Sequence, residues 1–151
     1  MLSLESIGKA QNTTTITLRG QEVPVKGLSA LDVLTLESLW DRPVPPMIPD
    51  PTKGDLAPKV TDPADPVYVA QFGQWHARIT IAHAAIAVDW VTADSVHWRE
   101  VRSDPDLARA WAARAIDEMG DAELTRADIE KITDAFDQIE NGNDEDSARK
   151  N

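Results

Sequence analysis

Residues Thr15 to Val33 read TITLRGQEVPVKGLSALDV, and this stretch decides the fold. Ile16 and Leu18 alternate with Thr15, Thr17 and Arg19, and Val23 and Val25 alternate with Pro24 and Lys26. Both runs have the period-two pattern of strands with one apolar face. Gly20-Gln21 lies midway between them, so the runs form a hairpin with all four apolar side chains on one face. Pro24 has no N–H and must sit at a non-hydrogen-bonded site of the ladder. A four-residue loop, Arg19 to Glu22, satisfies this and sets Leu18 opposite Val23 and Ile16 opposite Val25. Gly27 then breaks the strand. Ser29 and Asp32 form a capping-box pattern, Leu28 is placed to staple onto Val33, and a helix follows from Ala30 to about Trp40. Its apolar residues are Leu31, Val33, Leu34, Leu36 and Trp40. The hairpin's apolar face needs a cover, and this first helix is the nearest one.

Downstream, residues 42–66 hold eight of the ten prolines. Such a segment forms neither helix nor central strand and reads as extended, polyproline-like coil. It divides a hairpin-helix head, residues 15–40, from a helical body, residues 67–140. In the body, Phe72, Trp75, Ile79, Ala82 and Ile86 recur at spacings of three and four, the stripe of an amphipathic helix over 67–90. That helix is expected to be the longest and to act as a central strut. A short helical turn is expected around Val96 to Val101. Asp104 as cap and Pro105 at the first helical position open the next helix. Leu107, Trp111, Ala115 and Met119 supply its stripe, and Gly120 its end. Thr125 and Asp128 form another capping box, Ile129, Ile132, Phe136 and Ile139 a further stripe, and Asn141-Gly142 a stop. The acidic residues 141–151 are expected to lack regular structure. The fold class expected is α+β, mainly α: an N-terminal β-hairpin on a bundle of three to four helices, with a long Pro-rich loop, all in one domain.

Charge narrows the partners. The chain has 26 acidic and 15 basic residues, a net charge of −11. That disfavours nucleic acid, because neutralising phosphates needs clustered Lys and Arg. From Asp121 to Asn151 there are ten acidic and four basic residues. They read as a solvated helix face with a solubilising tail, or as a docking surface for a basic partner. There is no cysteine, hence no disulfide and no thiolate metal site. The apolar runs are too short to cross a bilayer, and MLSLESIGKA lacks the build of a signal peptide. A cytosolic protein without membrane partners is expected.

Catalytic chemistry is not visible. His76 and His83 are seven residues apart on one helix, not the i, i+4 spacing of helical zinc sites. Asp137 to Ala148 resembles a calcium loop only superficially, since positions 3 and 12 are Ile139 and Ala148, which offer no side-chain oxygen. No GxSxG elbow, HExxH or glycine-rich phosphate loop occurs. The reading is therefore non-enzymatic, with no cofactor and no metal. The five tryptophans are the richest signal left. Trp75 and Trp111 fall on apolar stripes and read as core. Trp40, Trp90 and Trp98 fall near helix ends and read either as edge-of-core packing or as the lining of a groove for a partner helix. Val44, Met47 and Ile48, the apolar residues of the Pro-rich segment, complete that candidate partner-binding set as a lid over the groove.

The hairpin ends in a phrase, Val23-x-Val25-x-Gly27-Leu28-Ser29-x-x-Asp32, followed by a helix. This unit resembles the start of tail assembly chaperones of long-tailed bacteriophages. The match is concentrated in residues 15–33. The remainder is similar in outline only: helices of modest length, an acidic end and no catalytic motif. The resemblance implies a non-enzymatic protein of the host cytoplasm that binds the tape measure protein, with the tail tube protein as a second client. It implies a protein absent from the finished virion and a longer frameshifted product. Self-association into a homo-oligomer is compatible with it. The competing class is a structural virion component such as a connector or minor tail protein.

Overall fold

β1 (Thr13–Leu18) and β2 (Gln21–Lys26) form the antiparallel hairpin in the computed structural model, which describes residues 13–53 and 58–149, the last nine by backbone alone. The hairpin differs from expectation in its turn. Arg19 (φ 50°) and Gly20 (φ 80°) close it in two residues. Two successive positive φ values are the type I′ signature, whose twist matches that of the strands. The register is therefore Ile16 opposite Val23 and Thr14 opposite Val25, not Ile16 opposite Val25. This two-residue shift leaves every side chain on its expected face. Pro24 pairs with Thr15. Counting from a two-residue turn, that is again a non-hydrogen-bonded pair, so the proline is accommodated in either register. Leu18 and Val25 are buried, with Ile16 and Val23 half-buried beside them.

The helices are α1 (Ala30–Ser38), α2 (Pro66–Ala87), α3 (Trp98–Val101), α4 (Pro105–Asp121) and α5 (Arg126–Arg149). The fold is α+β and mainly α, as the sequence implies. Local signals set the starts. The Ser29 hydroxyl accepts from Asp32 N–H at 3.1 Å, the Asp65 carboxylate from Tyr68 N–H at 2.9 Å, and Asp104 from Asp106 and Leu107 N–H. Thr125 and Asp128 satisfy each other's N–H groups at 3.2 and 2.9 Å, a complete capping box.

α2 is the strut. It packs against α1, α4 and α5, and Trp75, Ile79, Ala82 and Ile86 are buried along it. Ala84, Ala85 and Ala87 are buried too, so its second half is enclosed, with small side chains that let neighbours approach closely. α1 buries Leu36, and Leu39 just past its end is buried too, but Leu31 and Leu34 are two-thirds exposed. The cover of the hairpin is α5, not α1. Its stripe Ile132, Ala135 and Ile139 is buried, and Lys131 Nζ donates to Thr17 O at 3.2 Å. A fully buried Leu36, Ile86 or Ile132 contributes about 1.5–3 kcal/mol each.

Several further expectations are corrected. α5, with 24 residues, is longer than α2, with 22. Its backbone stays helical through Asn141 and Gly142 to Arg149, while residues 150–151 lie outside the described ones. A helix already nucleated gains a hydrogen bond for each residue added, and a glycine costs it only about 1 kcal/mol. Leu107 is half-exposed, and Ala108 and Ala112 take the buried positions facing α2. α4 runs past Gly120 to Asp121. Among its described residues the Pro-rich segment contains one small element: β3 (Met47–Ile48) pairs with β4 (Val60–Thr61). Prolines at 45, 46 and 49 leave only these two residues with N–H groups for a ladder, which explains the brevity.

Candidate apolar groove at the hairpin turn

α2 and α4 stop by the same device. At the end of α2, Trp90 N–H reaches Ala85 O at 2.9 Å and Asp89 N–H reaches Ile86 O at 3.0 Å. At the end of α4, Leu124 N–H reaches Met119 O at 3.2 Å and Glu123 N–H reaches Gly120 O at 3.0 Å. These paired bonds are Schellman closures, and each needs one left-handed residue. Asp89 (φ 54°) and Glu123 (φ 56°) take that role, not a glycine. Each closure turns the next apolar residue, Trp90 or Leu124, back toward the helix it follows.

The hairpin turn is tied over this corner. The Arg19 guanidinium donates to the carbonyls of Ala122 and Glu123 and to Asp128 Oδ2, the last at 3.1 Å. A cation here meets the negative end of α4, and Asp128 simultaneously caps α5. The strands, the two closures and α5 thereby enclose a groove of about 530 Å³. Leu18, Met119 and Ile132 are buried at its base; Val23, Val88, Trp90 and Leu124 are half-buried along it; Val91 is exposed at its mouth. Arg19, Gln21 and Asp89 supply its polar groups.

Trp90 is held from behind. Its indole N–H donates to Glu118 Oε1 at 3.3 Å, and Ala93 N–H donates to both carboxylate oxygens. Arg114 Nε completes the set at 3.1 Å. The Ala93 N–H, then Trp90 and Arg114, hold the Glu118 carboxyl below its usual pKa. The carboxylate therefore pins the 90–93 segment, and the tryptophan stays half-buried in the groove wall.

The six residues read as one partner-binding set are not brought together. Trp90 lines the groove. Trp98 is 4% exposed, packs tilted against Trp111 and donates to Asp32 Oδ1 at 3.0 Å, so it belongs to the core and offers no surface to a partner. Trp40 lies beside the middle of α2, where its carbonyl accepts from Trp75 Nε1 at 3.2 Å. Trp75 and Ala87 are separated by about 18 Å of helical rise, which keeps Trp40 away from the groove. Val44, Met47 and Ile48 do not line the groove, so they form no lid over it. The pairing of β3 with β4 folds that segment onto itself. Conversely, Leu18, Val23, Met119 and Leu124 line the groove, and their periodicity marks them only as apolar-face residues. The assembly of two closures and a turn carries no local sequence signature.

Burial pushes the His83 imidazole pKa down, only partly opposed by Glu37 and Asp137, and its ring meets Phe136 edge-on at 6.0 Å. Among the described residues, no three His, Asp or Glu side chains come together as a metal site would need, and no helix is long and apolar enough to cross a membrane. Comparison with protein-family models, curated proteins and solved structures finds no match to this chain.

Proposed function

We propose that this protein is a tail assembly chaperone of a long-tailed bacteriophage, one that binds an apolar helical segment of the tape measure protein and keeps it soluble. The observation that carries the reading is the groove at the hairpin turn, apolar at base and walls and fronted by Trp90 and Val91. The hairpin that forms one side of it is the part of the chain that resembles that family. A groove of about 530 Å³ holds a few apolar side chains of a client helix, the i, i+3, i+4 anchors of helix-in-groove recognition. The net charge of −11 keeps a chaperone–client complex dispersed.

Co-expression with the tape measure protein of the same genome tests this. Capture should survive raised salt, because the buried contact is apolar. Val91→Asp and Trp90→Ala should abolish capture while far-UV circular dichroism stays unchanged. A client equally soluble alone, or captured equally by both variants, refutes the proposal. Recovery of the protein at fixed copy number from washed virions transfers it to the structural components of the particle.

A further inference from the structure

A second hollow lies beside the N-terminal half and middle of α2 and has a different character. Arg42 stands with its guanidinium over the rings of Phe72 and Trp75, 5.6 and 5.5 Å from their centroids. The rings are fixed in turn: they lie 5.6 Å apart, and the Trp75 indole is hydrogen-bonded to Trp40 O. Stacking holds a guanidinium by its face and leaves its N–H edge available to an acceptor. Beside it opens a hollow of about 350 Å³ lined by Trp40, Pro43, Gln74, Trp75 and Arg78. Gln71, Gln74 and Arg78 follow at spacings of three and four, which puts them on one face of α2.

Among the described residues, Arg19, Arg102, Arg109, Arg114 and Arg126 each form an ion pair; Arg42, Arg78 and Arg99 form none, and of these three Arg42 and Arg78 border the same hollow. Two guanidinium groups without carboxylates, at one hollow, are unexpected in a chain with 26 acidic and 15 basic residues. Asp41 also borders the hollow and partly offsets their charge.

We propose that this hollow binds a single carboxylate side chain, Asp or Glu, on a segment of a partner protein, with an apolar neighbour of that residue resting on Trp40, Pro43 and Trp75. The planar forks of Arg42 and Arg78 match a carboxylate, and charge-assisted bonds of this kind are the strong ones. The rest of the surface selects the charge of the ligand. A chain of net charge −11 repels a polyanion over a Debye length of about 8–10 Å, whereas one carboxylate at the arginines meets the local field only. The volume is near the low end for ligand pockets and admits one or two side chains, not a helix. This site shares no residue with the groove at the hairpin turn, so the two proposals stand or fall separately.

The test uses the full chain, ¹⁵N-labelled, titrated with N-acetyl-Ala-Leu-Glu-Leu-Ala-amide, whose one charge is the glutamate. Saturable shifts of the Arg42 and Arg78 Nε–H signals are expected. The glutamine version of the peptide should bind at least about tenfold more weakly, the loss expected from one charge-assisted hydrogen bond. Arg78→Gln and Arg42→Lys should each weaken the glutamate peptide by about tenfold and leave the weak glutamine peptide unchanged, the lysine because it keeps the charge without the fork. Both arginines are exposed, and unchanged circular dichroism will show that the variants fold. Equal binding of the two peptides, or no saturable shift up to roughly 10 mM glutamate peptide, overturns the proposal.

Discussion

Replacing Asp32 by alanine removes the acceptor of the Trp98 indole N–H, the only one among the described residues. The two side chains are 66 residues apart in sequence and meet at 3.0 Å, with Asp32 8% and Trp98 4% exposed. The variant leaves a buried N–H without a partner, which costs about 1–3 kcal/mol, and loses the charge assistance of the bond. Arg102, at 3.5 Å and half-exposed, adds little to the balance. Relief from burying the carboxylate offsets part of the loss, so a net cost of about 2–3 kcal/mol is expected. At this chain length that corresponds to a fall in Tm of roughly 4–12 °C. Asp32→Asn keeps an acceptor oxygen and should cost under about 1 kcal/mol. Trp98→Phe removes the donor but keeps a ring beside Trp111, and the double-mutant cycle with Asp32→Ala should return about 1–2 kcal/mol of coupling. The assay is urea unfolding followed by circular dichroism, with an unchanged m-value as the check that the end states are the same. Equal costs for Ala and Asn, or a coupling indistinguishable from zero, would refute the reasoning.

Three further outcomes follow from the packing and the charges. Ile79→Ala and Ile132→Ala should each cost about 2–5 kcal/mol in the same urea assay, while Leu107→Ala, at a half-exposed position, should stay within about 0.5 kcal/mol of the parent. Acidification should destabilise the protein in two stages. His83 has a folded pKa below its usual 6.5, so stability present above pH 6.5 is lost as pH falls through the folded value; Glu118, held below 4.5, behaves likewise further down. Asp94, held low by the Thr92 hydroxyl, and Asp128, held low by the Thr125 N–H, share that lower stage, so Glu118→Gln should shrink it without abolishing it, and an unchanged curve would contradict the anchoring role. Glu123→Gly should raise stability by about 0.5–1 kcal/mol, because the glycine relieves a left-handed backbone, φ 56°, at some cost in unfolded-chain entropy; a loss would show that the glutamate side chain contributes something the backbone does not reveal.

Helix starts were legible and helix ends were not, for one physical reason. A start is a local event: Ser29-x-x-Asp32, Asp104-Pro105 and Thr125-x-x-Asp128 cap N–H groups two or three residues away, and such spacing can be read directly. The ends of α2 and α4 fall where Trp90 and Leu124 find apolar partners, and Asp89 and Glu123 accept positive φ to put them there. Gly120 and Gly142, the expected stops, lie inside helices. The hairpin divides the same way. Alternation determines which face is apolar, but two registers two residues apart satisfy both alternation and Pro24. The turn chosen is the one that delivers Arg19 to Ala122, Glu123 and Asp128, more than a hundred residues away.

Tryptophan position shows where sequence reading of a site loses its grip. Trp40, Trp90 and Trp98 look alike along the chain, each near a helix end, yet they have three different fates. Trp98 is taken into the core because Asp32, a residue that reads as half of a capping box, turns its carboxylate inward instead of back to the Ser29 N–H. Trp90 stays at a surface groove because Glu118 anchors its polar edge. Trp40 contributes its carbonyl to Trp75 and borders a hollow that Arg42 and Arg78 also line. For Trp98 and Trp90 one carboxylate decides, Asp32 on α1 and Glu118 on α4. An indole must place its N–H when it is buried. The position of the nearest spare acceptor, which is a tertiary fact, therefore separates a tryptophan that stabilises the domain from one that remains available to a partner.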